Sequence, residues 1–333
     1  MRMQRFEDLR NLDVKILLAN TYHLLVRLGE EFLLKRGGLR NFNGWDRMIL
    51  TDSGGFQIFC QPTERKIKEE GAEFRNYING SKIMLTPERS IEMQKAIGSD
   101  VMMVLDECVS STVDHDVAKT AMQRTHRWAK RCLEVERDML KQKLFGIVQG
   151  ACFKDLRQES ARVLVNLDFD GYAVGGLAVG ESYQERCDFT EIVTEFLPKN
   201  KPRYLMGVGT PSDIIEAVMR GIDMFDCILP TALGQQGLVF VSEGKVDLRK
   251  STFKDQDIPL DVHCTCYACR HYSRSFLHYL VRSKEHIVRQ LLGLHNLTFY
   301  EQFMHKIRFK IKNGGLANLA IEAREKWRLS LKN

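Results

Sequence analysis

From Val14 to Ile228 the chain alternates short apolar, often β-branched runs with longer amphipathic stretches, and this rhythm restricts the possible folds more than any other feature. Residues 14–18, 47–51, 101–105, 144–148, 171–174, 203–206 and 224–228 have the length and content of strands. Between them lie helical patterns. One opens at Pro87 behind the cap Thr86 and another at Pro211 behind Thr210, positions where proline costs no helical hydrogen bond. Residues 4–12 also read as a helix. Residues 74–85 break the rhythm: Asn79-Gly80 is the dipeptide of a tight hairpin, so a small antiparallel ribbon is expected there.

Strand and helix in alternation predict a parallel sheet, either doubly wound or closed into a barrel. Polar or glycine residues follow the predicted strands repeatedly: Asp52, Asp106, Gln149, Gly175, Gly176, Gly207 and Asp226. A barrel gathers all such positions on one rim, whereas an open sheet gathers them only near its switch point. The expected fold is therefore α/β, a (β/α)8 TIM barrel. A barrel takes roughly 250 residues, so a chain of 333 leaves room for an attachment. Only seven strands are found where eight are needed, and the first is expected to be missing ahead of Met1.

A hydrophobic content of 44% and a charged content of 28% exclude a disordered or collagen-like chain. No apolar run approaches the ~20 residues of a membrane helix, and MRMQRFEDLR lacks the apolar centre of a signal peptide, so a cytoplasmic protein without membrane contact is expected. Residues 231–333 hold 17 Lys+Arg against 9 Asp+Glu, a surplus that exceeds the whole chain's net +6. The basic end suits a polyanionic partner, though ordinary solvated charge would read the same way.

Nine cysteines and no export signal argue against a disulfide framework. Cys264, Cys266 and Cys269 sit together in a polar segment, and three thiolates at that spacing can wrap one tetrahedral cation. The fourth ligand could be His263, His271, His278, His286 or His295, and spacing does not choose among them. With four protein ligands the zinc would be structural, one per chain.

Asp52, Asp106 and Asp226 end predicted strands, and a rim with several carboxylates suits chemistry at a sugar carbon, where one serves as nucleophile and another moves a proton. It would equally suit a divalent cation, and each aspartate alone could be a turn or cap residue. Glycine pairs such as Gly54-Gly55 and Gly175-Gly176 let backbone N–H groups approach a flat ligand. Neither G-x-x-x-x-G-K-[ST] nor G-x-G-x-x-G occurs, so a nucleotide cofactor has no support.

The motifs NTYHLLVRLG, GWDRMILTDSGGFQ, LTPERSIEMQKAIGSD, DEC, GYAVGGLAVGE, YLMGVGTP, RGIDMFDCILPT and the C-x-C-x2-C stretch with HNLTFYEQFM cover nearly the whole chain. Together they resemble the bacterial tRNA-guanine transglycosylases, the queuine tRNA-ribosyltransferases. The resemblance implies a β/α barrel with an inserted zinc-binding subdomain, acting as a homodimeric pentosyltransferase. Its reaction would exchange the wobble guanine of G-U-N anticodon tRNAs, those for aspartate, asparagine, histidine and tyrosine, for a 7-deazaguanine in queuosine biosynthesis. In family terms Asp226 matches the nucleophile and Asp52 the proton acceptor. Ser53, Gly54, Gly55, Phe56, Asp106, Gln149, Gly176 and Leu177 match the base pocket, with Phe56 stacking and Leu177 offering a carbonyl to the incoming base's amine. RNA contact is expected at Gly207, Val208, Gly209, Thr210, Pro211, Ser212 and Asp213, and again at Thr231, Ala232, Leu233, Gly234 and Gln235. Cys264, Cys266, Cys269 and His295 match the zinc ligands.

The implied domains are a barrel over 1–240 with strands two to eight, a zinc subdomain over 241–290, and a C-terminal barrel helix and tail over 291–333. The chain departs from the family twice. The hairpin and first strand normally upstream of Phe6 are absent, and TALGQQG carries Ala232 and Gln235 where arginines are usual. These departures leave a non-catalytic or weakly active tRNA-binding homologue as the alternative. The sequence AVGE at 178–181 and Cys108 favour the small aminomethyl deazaguanine, preQ1, over queuine.

Overall fold

Seven strands, β1 (Ile16–Ala19), β2 (Met48–Thr51), β3 (Val101–Met103), β4 (Lys143–Val148), β5 (Gly171–Val174), β6 (Arg203–Leu205) and β7 (Met224–Phe225), form one parallel sheet. The computed structural model that shows this describes residues 3–60 and 65–328. Each strand pairs with the one before it in the chain, with Leu50 opposite Val101, Phe145 opposite Gly171 and Val174 opposite Leu205. Sheet order that follows chain order has no reversal and hence no switch point, which excludes the doubly wound alternative. The strands make the curled wall of a TIM-like barrel, running from β1 to β7, and no pair joins β7 to β1 among the described residues.

This sheet belongs to one of two units of the chain, residues 15–206 with 220–225. Its central strands are buried on both faces, as continuous apolar runs require: Ile147, Val148, Ala173 and Val174 have no exposed surface. The expected strand at 224–228 is cut to two residues, because the chain leaves the ladder at Asp226 and Pro230 helps start the helix Leu229–Gln235. Thr86 caps the helix Pro87–Ile97, its hydroxyl accepting from the Arg89 N–H at 3.2 Å. The ribbon is present as Ala72–Arg75 against Lys82–Leu85, and a third strand, Lys66–Ile67, joins it. Phe74 anchors it, packing 5.1 Å from the buried Tyr22 ring.

The second unit comprises residues 1–14, 207–219 and 226–333, including the expected N-terminal helix, Phe6–Asn11. A two-stranded antiparallel pair, Leu238–Val241 with Gly244–Asp247, precedes the short helices Tyr267–His271 and Arg274–Arg282. The 28-residue helix His286–Asn313 then crosses the unit. Leu248, Leu260, Leu277 and Leu292 pack with the three clustered cysteines in one core. No described helix is long and apolar enough to cross a membrane.

Candidate active site and metal centre

The residue after β2 is Asp52, and its carboxylate is held by neighbours distant in sequence. Thr21 donates its backbone N–H to Oδ1 at 2.8 Å, and Gln57 donates from Nε2 to Oδ2 at 3.1 Å. Asn20 gives Oδ2 a further donor at 2.5 Å while its own Oδ1 caps the helix Thr21–Arg27 by accepting from His23. One side chain thus sets both the helix start and the carboxylate's orientation.

Asp106 follows β3 and is buried. Gln149, which follows β4, donates from Nε2 to its Oδ2 at 2.7 Å, and the Ser53 hydroxyl donates to Oδ1 at 3.0 Å. Burial pushes the Asp106 carboxyl above the usual carboxylate range, against the pull of those two donors. Close approach here depends on glycine: a Cβ on Gly55 would lie 2.5 Å from the Asp106 carbonyl oxygen. Gly54 adopts φ +88°, turning the chain into the short helix Gly55–Phe59. Phe56 on that helix is 44% exposed, a ring face available for stacking.

After β5, Gly176 takes φ +64° and lies so near Gln149 that a Cβ would sit 2.6 Å from its Oε1. The Leu177 carbonyl accepts from Arg186 Nε at 3.2 Å, and the same nitrogen donates to Glu181 at 2.7 Å. Ser53, Gly54, Gly55, Asp106, Gln149 and Gly176, all read from the sequence as base-pocket candidates, are placed after the ends of β2 to β5. Asn20, Gln57 and Arg186 were not anticipated.

In the second unit, Asp226 is half-buried and its Oδ1 accepts the Gly207 N–H at 2.7 Å. Of the segment expected to contact RNA, Gly207 is exposed, whereas Val208, Gly209, Thr210, Pro211, Ser212 and Asp213 are buried. Thr210 caps the helix Pro211–Met219 by accepting from the Asp213 N–H at 3.1 Å, and Tyr300 donates its hydroxyl to the Gly209 carbonyl at 2.5 Å. Thr231, Ala232, Leu233 and Gln235 are half-buried on the helix Leu229–Gln235, with Gly234 buried.

Cys264, Cys266, Cys269 and His295 place their ligand atoms within 4.8 Å of one another. The sulfurs lie 3.7, 3.5 and 3.3 Å from His295 Nδ1. Tetrahedral zinc with ordinary bond lengths puts sulfur and nitrogen roughly 3.5 Å apart, so the set fits that ion. His295 Nε2 lies 2.8 Å from the Phe240 carbonyl oxygen, a bond that places the ring proton there and turns the Nδ1 lone pair toward the thiols. Hydrogen bonds from Cys264 and Cys269 pull the Cys266 thiol well below its ordinary value, while the same close sulfurs push Cys269 upward. The other candidate histidines lie outside this set; His278, for one, bonds the Leu248 carbonyl.

The profile of the family described as queuine tRNA-ribosyltransferase matches residues 2–329. A Thermoanaerobacter sp. protein named queuine tRNA-ribosyltransferase is 48% identical over 93% of this chain and 83% of its own length. Relatives of the same name from Caldanaerobacter subterraneus and Staphylococcus epidermidis are 47% and 46% identical, over 96% and 98% of this chain and 86% of their own lengths. A barrel sheet with carboxylates at its strand ends and a Cys3His cluster that fits zinc defines a β/α-barrel protein with a candidate metal site. The chain belongs to the queuine tRNA-ribosyltransferase family.

Proposed function

We propose that this protein is a tRNA-guanine transglycosylase that replaces the wobble guanine of G-U-N anticodon tRNAs by a 7-deazaguanine, preQ1 before queuine. The buried Asp106–Gln149 pair, in a chain matched by the family from residue 2 to 329, carries this reading. The Asp106 carboxylate accepts from the purine N1–H and exocyclic amine, while the free Gln149 N–H and a backbone N–H donate to O6. Adenine presents the reversed pattern and would leave buried groups unpaired, at ~1–3 kcal/mol each. Phe56 stacks on the ring.

An oxygen of Asp226 bonds to ribose C1′ as the C1′–N9 bond breaks, and guanine keeps the electron pair and takes up a proton. The incoming base then yields its N9 proton to Asp52 and attacks C1′, and the ester electrons return to Asp226. Two inversions give retention, and the RNA backbone is never cut. The Gly207 N–H holds one Asp226 oxygen and so helps to orient the carboxylate. Zinc bound by Cys264, Cys266, Cys269 and His295 is structural, fixing the fold around them. The exposed aromatics Tyr267, Phe276 and Tyr279 suit the homodimer that family membership implies, in the cytoplasm. Sedimentation of the protein as a monomer at micromolar concentration would remove that element.

Labelled guanine should enter a G-U-N anticodon tRNA in the presence of this protein, and not a tRNA with another wobble base. Failure of incorporation into any tRNA overturns the assignment. Guanine binding should also weaken as pH falls through the raised Asp106 value, because the protonated carboxyl turns a donor toward the purine N1–H. Calorimetric affinity that stays flat from about pH 7 to about pH 4 contradicts this role for Asp106.

A further inference from the structure

Arg157, on the helix Lys154–Asn166, has no exposed surface, and its hydrogen bonds all go to backbone carbonyls. Nε donates to Ala151 at 2.8 Å, Nη1 to Val148 at 3.2 Å and to Gly175 at 2.6 Å, and Nη2 to Gly176 at 3.2 Å. These acceptors are the ends of β4 and β5 and the loops that leave them, the segments that bear Gln149 and Gly176. Burial lowers the guanidinium to about 10, so it keeps its proton at neutral pH. A buried, charged side chain is costly unless something fixed requires it.

A trans peptide is planar, with its C=O and N–H on opposite sides. Because Arg157 draws the Gly175 and Gly176 oxygens to itself, the N–H groups of Gly176 and Leu177 are turned away from it. Neither N–H has a hydrogen-bond partner among the described residues. The left-handed φ of Gly176 lets two successive N–H groups face the same way, the geometry of an anion-binding backbone nest. Gln149, whose amide is tied to Asp106, lies against the same two glycines.

We infer that Arg157 is a positioning residue that aims the Gly176 and Leu177 N–H groups at O6 of the bound purine and polarises them from behind. This rests on the base-exchange reading and specifies how O6 is recognised. When guanine leaves C1′ with the electron pair, negative charge spreads to O6, and donors backed by a fixed cation stabilise it without reorganising. The peptides do the touching, and Arg157 acts through them.

Arg157→Lys supplies the charge without the planar fork, so it cannot hold the carbonyls of both loops. Binding of guanine and of 2-aminopurine, which lacks O6 and the N1 proton, should be measured on the wild type and on R157K, so that the change in each base's own affinity is read. Guanine affinity is expected to fall about 10-fold or more, with 2-aminopurine affinity unchanged. Guanine KM in the exchange reaction should rise with it. Equal weakening of both bases, or a guanine affinity undiminished in R157K, overturns the inference while leaving the reaction assignment standing. A wild-type protein with no preference for guanine fails that assignment, and the inference falls with it. If R157K does not fold, the wild type labelled with 15N at glycine and leucine decides: guanine should shift the Gly176 and Leu177 amides, and 2-aminopurine should not. Amides that ignore guanine overturn the inference.

Discussion

Asp226→Ala is expected to lower guanine exchange into tRNA by at least ~10⁴-fold, because losing the proposed covalent nucleophile would remove the double displacement rather than weaken one contact in it. Asp226→Asn should be nearly as damaging, since the neutral amide retains the acceptor for the Gly207 N–H but is a poor nucleophile. Wild-type protein mixed with tRNA and stopped by denaturant should give a protein–RNA adduct on a gel, and D226A should give none. Free guanine should still bind D226A, since Asp106, Gln149 and Ser53 hold one another without it. An adduct that survives in D226A assigns the nucleophile elsewhere.

Loss of the metal comes next in size. Structural zinc sites carry apparent binding free energies of ~10–16 kcal/mol, comparable with or larger than the ~5–15 kcal/mol that holds a whole domain together. The three cysteines sit inside the core of the second unit with Leu248, Leu260, Leu277 and Leu292, so thiols left without a cation are left in an apolar setting. Cys266→Ser or His295→Ala should abolish one equivalent of bound zinc per chain. Either should also remove cooperative melting from the second unit, as should a strong chelator added to the wild type. Metal analysis with calorimetry checks both, and an unchanged melt in a zinc-free C266S protein would deny the ion its structural part.

Much of the barrel was legible because parallel strands covered on both faces write themselves as continuous apolar runs, and all seven fall where those runs are. The strand at 224–228 was overdrawn because Cys227 and Ile228 are apolar yet belong to the turn that frees Asp226 from the sheet. Lys66–Ile67 could not be read, since two residues carry no periodicity. At the site, residues that end strands were visible and those that hold them were not. Asn20 lies 32 positions from Asp52, and only the fold brings them together. Arg157 looks in sequence like any basic residue of an amphipathic helix, and nothing local marks it as buried. His295 stands 26 residues after Cys269 on a separate helix, beyond any spacing rule for zinc ligands, and was chosen by resemblance alone. In the buried segment from Val208 to Asp213, Thr210 bonds Ser212 and Asp213, contacts that the motif itself does not disclose.

The helix His286–Asn313 brings the thiol-facing His295 and the Gly209-holding Tyr300 to partners made much earlier in synthesis, the latter 91 positions upstream. As the chain leaves the ribosome, the strands bearing Asp52, Asp106 and Gln149 are finished well before either residue emerges. Termination between residues 177 and 295 would therefore leave the residues proposed to recognise the purine in place but the Cys3His cluster incomplete. Translation thus orders the two halves of the protein in time, the strand-end residues first and the Cys3His cluster last.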